Sequence, residues 1–507
     1  MIEGIYEPHH TRGDLHLACD VVVIGSGAGG ATVAATLAEA GLDTIVLEEG
    51  PLYETKEYSA NIPEMLTKLM RGGGSTVTMG RSPVPYLEGR CVGGTTVVNG
   101  GMCWRTPERI LDEWVDDRGL HHLSAKRLDP HFEEVERTID ARHQDPGSEG
   151  RVNDLFYKGA TNLGWKLSQN KRNQRHCVGS NDCVTGCPSG AKRSTLYSWL
   201  PRFFARGGRL YTHTKVKKIL TERGRAVGVT GELQDPYRKR RFRVRARAVV
   251  VACGAVQTPL LLQRNRLCRG SGHVGQNFTI HPNVKLAAKF DTEVNSLRGA
   301  HQAWQCTEFV NEGILLAPGA IPLAFMSAIF PFFGQALAEK MRDYRFIATG
   351  GVLVDDSASG YIRALPFGIP HIHYDVTDVD QEKFVRAAAL LAELYFAAGA
   401  KEVYTAFHHF PVLKSPDDIK RLYAHPPRVE DTEYFTAHLM GTCRMSSDPT
   451  QGVVDPDGRA WDVPGLYIAD ASVLPGTIGV NPQVTIMAIA RLIALQLGER
   501  LLANRAA

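Results

Sequence analysis

The chain carries almost no excess of charge of either sign. Among 507 residues, 58 are Lys or Arg and 54 are Asp or Glu, a formal net charge of +4 with the two signs interspersed. Without a basic stripe, no polyanion-binding face and no nucleic-acid partner are expected. Fixed-period repeats and long low-complexity linkers are missing too, which excludes solenoid and tethered-tail architectures. The N-terminal stretch lacks a basic segment followed by an apolar one, so it reads as neither a secretory signal nor an anchor. A cytoplasmic location, with the ten cysteines mainly reduced, is the expectation. Uncharged runs long enough to cross a bilayer are scarce. Ile314–Ala338 has the length, but Pro318, Pro322 and Pro331 argue against a regular membrane helix. It is expected to be buried core or the lining of a pocket for an apolar substrate, with no integral span. Peripheral contact with a membrane surface stays open.

What is present begins with VVVIGSGAGG at Val21–Gly30. An uncharged run ends in Gly25, Gly27 and Gly30 at G-x-G-x-x-G spacing, and the small-residue pattern ATVAATLAEAG follows, which reads as strand, tight turn and helix. Gly25 allows the turn, Gly27 lets backbone approach a pyrophosphate, and Gly30 lets helix pack on strand. The helix N-terminus offers free N–H groups to phosphate. A second strand, Thr44–Leu47, delivers Glu48 about 20 residues past the glycines, where a ribose hydroxyl would be held. A dinucleotide site is therefore expected.

The length suggests two or three domains. RVRARAVVVAC at Arg243–Cys253 reads as an alternating strand that becomes fully buried, with a leucine-rich helix starting at Gly254. GLYIADAS puts Asp470 at a strand end, and Thr485–Leu497 reads as a helix. The expected fold is α/β: a discontinuous Rossmann-type domain from residues 1–110, 196–285 and 440–507, with a second α+β substrate-binding domain from 111–195 and 286–439.

The cluster GRCVGGTTVVNGGMCWRTP at Gly89–Pro107 resembles the flavin-contacting loop of the glucose-methanol-choline (GMC) oxidoreductases, G-R-x-x-G-G-[ST]-[ST]-x-x-N. The resemblance implies that Arg90, Gly93, Gly94, Thr95 and Asn99 bind FAD. Trp104 lies one position later than the family's aromatic. GAVQTPLLL at Gly254–Leu262 resembles the second signature, except that Asn265 and Arg266 replace the usual Ser-Gly ending, and VGQNFTIHP at Val274–Pro282 is also similar. Some relatives attach the flavin covalently to a histidine that matches Val98 here. Valine has no nucleophilic atom, so the resemblance implies non-covalent FAD. It further implies that Val216 contacts the adenine by its backbone, and that Asp470, Ala471 and Pro482 lie near the flavin ring.

The motifs TAHLMGTCRM and TIGVNPQVT map the family's catalytic histidine onto His438 and its second polar residue onto Asn481. Alcohol oxidation removes a hydroxyl proton and passes a hydride to flavin N5. A neutral imidazole can take the proton while an amide orients the hydroxyl. The expected activity is FAD-dependent oxidation of a small-molecule alcohol to a carbonyl, with oxygen, a quinone or a cytochrome as electron acceptor. Lyase chemistry of the hydroxynitrile-lyase kind on the same fold, and flavin binding without turnover, are the alternatives.

Three cysteines, Cys177, Cys183 and Cys187, lie at C-x5-C-x3-C in CVGSNDCVTGCPSGAK. The segment resembles the loop of bacterial GMC dehydrogenases that hold a [3Fe-4S] cluster, and equally the Gly-Cys-x-x-Gly-x-Lys loop of long-chain alcohol oxidases, where no cluster is implied. Three thiolates satisfy a three-iron cluster but not a four-cysteine site, so FAD without iron is the preferred expectation.

Overall fold

The first half of strand β1 (Leu15–Ile24) alternates between exposed and covered positions, and its second half is fully buried, ending at the glycine turn. The computed structural model describes residues 3–8, 13–234, 239–357, 359–366 and 369–506. After the turn comes helix α1 (Ala28–Glu39), then strand β2 (Thr44–Leu47), parallel to β1 with Val21 opposite Thr44. Strand β3 (Lys239–Val251) lies parallel on the other side of β1 and feeds helix α2 (Gly254–Asn265). Beyond β2 the sheet continues with Arg209–Tyr211 and Ile5–Tyr6. The free edge of β3 is shared. Its first half pairs antiparallel with Arg225–Gln234, and its last three residues pair parallel with Leu466–Ile468. The nucleotide domain is thus assembled from beginning, middle and end of the chain, a discontinuous Rossmann-type sheet.

The second domain is α+β. Its antiparallel sheet runs in the order Val412–Leu413, Glu402–Tyr404, β4 (Asn283–Lys289), Ile347–Val354, Ile314–Pro318, Trp304–Cys306, Leu167–Gln169. One face of the sheet is covered by helix α3 (Asp378–Ala398), which the Thr377 side chain caps at the N-terminus and Gly399, at φ +103°, ends. Val284, Leu286 and Ala288 of β4 join Phe384, Leu391 and Tyr395 of α3 in that core. Each such large apolar side chain contributes about 1.5–3 kcal/mol on burial. Asn283, Lys285 and, on the neighbouring strands, Leu315, Ala317, Gly351 and Leu353 line the cavity on the opposite face.

Ile314–Ala338 is not one helix. It is a buried strand, Ile314–Pro318, then short helices at Leu323–Ile329 and from Gly334 to Arg342. Among the described residues no helix is long and apolar enough to cross a membrane. Residues from Leu111 on, expected with the substrate-binding domain, include several that pack on the nucleotide side. Ile110, Leu111, Trp114, Leu128, Phe132 and Val135 are buried in the nucleotide-side core, where the helix Ala125–Thr138 meets the C-terminal helix α4 (Gln483–Ala506). The amphipathic pattern of this helix requires a buried face but carries no mark of which domain supplies the partner.

Candidate active site

Helix α1 begins at Gly27 with no side-chain cap and no acidic residue in its first turn. Its leading N–H groups therefore remain available to an anion. A Cβ on Gly94 would come within 3.0 Å of the Gly27 Cα, so only two glycines leave a slot between helix start and loop. Gly30 serves packing, since a Cβ there would lie 2.1 Å from the Gly25 carbonyl oxygen. Glu48 is buried, and its carboxylate accepts hydrogen bonds from Ser26 Oγ at 2.6 Å, Ser26 N at 3.0 Å and Gly50 N at 2.8 Å. Burial raises its pKa against the opposing pull of those bonds. Ser26 Oγ accepts from Gly93 N at 3.0 Å, tying the glycine turn to the second loop. An uncapped helix start, a side-chain-free slot and an acid at the end of β2 fit an adenine dinucleotide.

Gly93, at φ +95°, opens a single 3-10 turn, Gly94–Val97, which brings Val98 to a buried position on the cavity wall. Thr95 Oγ1 accepts from Gly89 N, and the Asn99 amide donates to Gln483 Oε1. Asp470 accepts from Thr258 Oγ1 at 2.6 Å and from the N–H groups of Gly254 and Ser472. Gly25, Gly27, Glu48, Gly94, Thr95, Asn99, Val216, Asp470, Ala471, Pro482, His438 and Asn481 all line one cavity. Gly30, Arg90 and Gly93 stand behind its wall. Arg90 turns to Gln234 at 2.5 Å and lies 3.5 Å from Glu49.

Among the described residues, no group of three or more His, Cys, Asp or Glu side chains can hold a metal ion. Cys183 Sγ accepts from Arg172 Nη2 at 3.1 Å, Cys187 Sγ accepts from Lys192 N at 3.3 Å, and Cys177 Sγ accepts from Gly179 N at 3.5 Å. The [3Fe-4S] reading thus finds no support. Instead the loop delivers Lys192, whose buried ammonium donates to the carbonyls of Val97, Asn99 and Cys183. Burial pulls its pKa down to about 8. Three carbonyls on one ammonium staple the cysteine loop to the loop Gly93–Asn99.

At the far end of the cavity, Nε2 of His438 lies 3.0 Å from the Asn481 Nδ2. The amide donates, so Nε2 accepts and the imidazole proton sits on Nδ1, which has no partner. Burial lowers the His438 pKa to about 3, with the nearby Lys285 ammonium adding to the effect. The imidazole is therefore neutral at physiological pH. His281 packs against it edge to face, ring centroids 6.2 Å apart. Held at φ +42°, His281 accepts N–H bonds from Ile478 and Gly479 at Nε2, at 3.1 and 2.9 Å, while Nδ1 lies 3.3 Å from Asp356 Oδ1. Two backbone donors at Nε2 leave the proton on Nδ1, facing Asp356. This relay fixes the turn that presents Asn481.

Models of GMC oxidoreductases match residues 66–283 and 356–490, and a model of FAD-binding domains matches residues 20–60. The chain belongs to the GMC oxidoreductase family. As a GMC oxidoreductase it is an FAD-dependent oxidoreductase. It is 36% identical over 491 residues to an uncharacterised GMC-type oxidoreductase of Sinorhizobium fredii, covering 95% of each chain. With a long-chain-alcohol oxidase of Arabidopsis thaliana it shares 30% identity, over 96% of this chain and 68% of that one. The pyridoxine 4-oxidase structure from Mesorbium loti has the same fold, with a TM-score of 0.73 at 18% identity over 94% of this chain and 99% of that one.

Lys192, His281 and Lys285 of this GMC oxidoreductase were not singled out from sequence. Lys192 was legible as the lysine of Gly-Cys-x-x-Gly-x-Lys, though not its acceptors. His281 stood inside a recognised stretch without a role. Lys285 was hidden because Asn283, Lys285, Ala287 and Lys289 alternate with Val284, Leu286 and Ala288 as on a solvent-facing strand.

Proposed function

We propose that this GMC oxidoreductase oxidises an alcohol with an apolar body to a carbonyl compound, with His438 as general base and Asn481 orienting the hydroxyl. The observation that carries the reading is the neutral, buried His438 Nε2 lying 3.0 Å from the Asn481 amide. A hydroxyl that replaces this contact donates its proton to Nε2 and accepts a hydrogen bond from Nδ2. Bound FAD supplies the hydride acceptor. The residues proposed to hold it are Gly25, Gly27 and Glu48 at the adenosine and phosphate end with Val216 at the adenine. Gly94, Thr95, Asn99, Asp470, Ala471 and Pro482 would hold the ring, backed by Gly30, Arg90 and Gly93. Leu315, Ala317, Leu353 and Phe435 on the facing wall support an apolar substrate body. The alcohol class is also supported by the Arabidopsis relative's name. The word oxidase in that name and in those of the structural neighbours supports oxygen as acceptor, ahead of a quinone or cytochrome. For the domain division, residues 108–139 go with the nucleotide side in this proposal.

Anaerobic addition of alcohols to the FAD-loaded protein tests the reading. Bleaching of the flavin absorbance is expected. A panel of primary and secondary alcohols, short and long, that leaves the spectrum unchanged would overturn it. Because Val98 stands where an attachment histidine would be, acid denaturation is expected to release intact FAD into the supernatant. Flavin fluorescence retained on the precipitated polypeptide would contradict this.

A further inference from the structure

The substrate wall of the cavity contains a cation that nothing offsets. Lys285 projects from β4 across to Gly351, its register partner on the neighbouring strand. A Cβ on Gly351 would lie 2.4 Å from Lys285 Nζ, so the glycine is the notch in which the ammonium rests. Among the described residues, no hydrogen bond or ion pair engages Nζ, and no carboxylate acts on it electrostatically. Burial alone lowers its pKa, to about 8. Such an arrangement costs stability unless a ligand makes use of it. Asn283 Oδ1, beside the same notch, also has no donor. His301 on this wall has a partner: its Nδ1 lies 2.8 Å from the Ala320 carbonyl, and burial holds that ring neutral.

Resting on the proposed alcohol oxidation, we propose that Lys285 recognises an anionic group on the substrate, so that the preferred substrates are alcohols bearing a carboxylate on an apolar body. A single ammonium suits a monoanion better than a phosphate dianion, which needs several donors. The apolar side chains of Leu315, Ala317 and Leu353 accommodate the carbon skeleton between the two polar ends.

Binding without turnover separates this proposal from the proposed reaction. The oxidised FAD-loaded protein is titrated with acetate, butyrate and benzoate, and with the matching amides, while the flavin absorption band is followed. Carboxylates are expected to bind at least about tenfold more tightly than their amides, the preference falling to near unity in Lys285→Met and largely recovering in Lys285→Arg. Gly351→Ala, which removes the notch, is expected to weaken carboxylate binding as well and serves if Lys285→Met fails to retain FAD. Equal affinity for acids and amides in the wild type, or an unchanged preference in Lys285→Met, would overturn the assignment. Carboxylate binding that follows this pattern while no alcohol of either kind bleaches the flavin would uphold the anion site and remove the alcohol reading alone.

Discussion

At the nucleotide end of the cavity the two acids and the ammonium that shape the slot have partners within the chain, whereas at the substrate end several polar groups, among the described residues, do not. Glu48 takes three hydrogen bonds, Asp470 takes three, and Lys192 gives three. Among the described residues, His438 Nδ1, Asn283 Oδ1 and the Lys285 ammonium have none. Polar groups buried without partners destabilise a fold, so those that line the substrate end of the cavity are ones a bound ligand can complete. The partnered end is scaffold that shapes a cofactor slot. In the proposed reaction the other end is where recognition and proton transfer would fall to the substrate.

Substitutions at the two ends should therefore differ in kind. The largest effect is expected from Lys192→Met, which strands three carbonyls. A stability loss of about 3 kcal/mol or more, with weakened FAD retention, should appear in denaturant unfolding. Unfolding and flavin retention like the wild type would mean that the staple contributes little. His438→Ala should invert that pattern, keeping FAD and stability while slowing substrate-driven flavin reduction by at least about 100-fold. In the wild type, protonation of His438 abolishes the base. Since its pKa lies near 3, reduction should stay flat from pH 8 down to about pH 5, without the loss near pH 6.5 of an ordinary histidine. Anaerobic stopped flow across that range measures both. The smallest change, roughly tenfold in the same rate, is expected for Asn481→Ala, which removes the orienting donor but leaves the base. A loss equal to that of His438→Ala would make the amide more than an orienting group.

The same contrast explains what was legible in the sequence. Gly25, Gly27, Gly30 and Glu48 could be read because a turn, a slot and a strand end each demand particular residues at fixed spacing. His438 and Asn481 were legible only through resemblance, since one histidine among 18 carries no local mark of its 3.0 Å neighbour 43 positions away. Lys285 escaped because a cavity wall and a solvent face leave the same alternating pattern. The affiliation of the helix Ala125–Thr138 escaped for a related reason: periodicity reports that a face is buried, not against which core it is buried.

The shared edge of β3 also bears on how the protein is made. Its last residues wait for Leu466–Ile468, and the wall of the flavin slot waits for Asp470 and the residues up to Pro482. The stretch from Gly30 to Leu466 has to be made before these segments are available, so the glycine turn is synthesised well before it is completed. During that interval the parallel strands have an open edge, the arrangement most exposed to mispairing. A complete slot for the cofactor accordingly exists only after the segment from Leu466 to Pro482 has joined the sheet and the cavity wall.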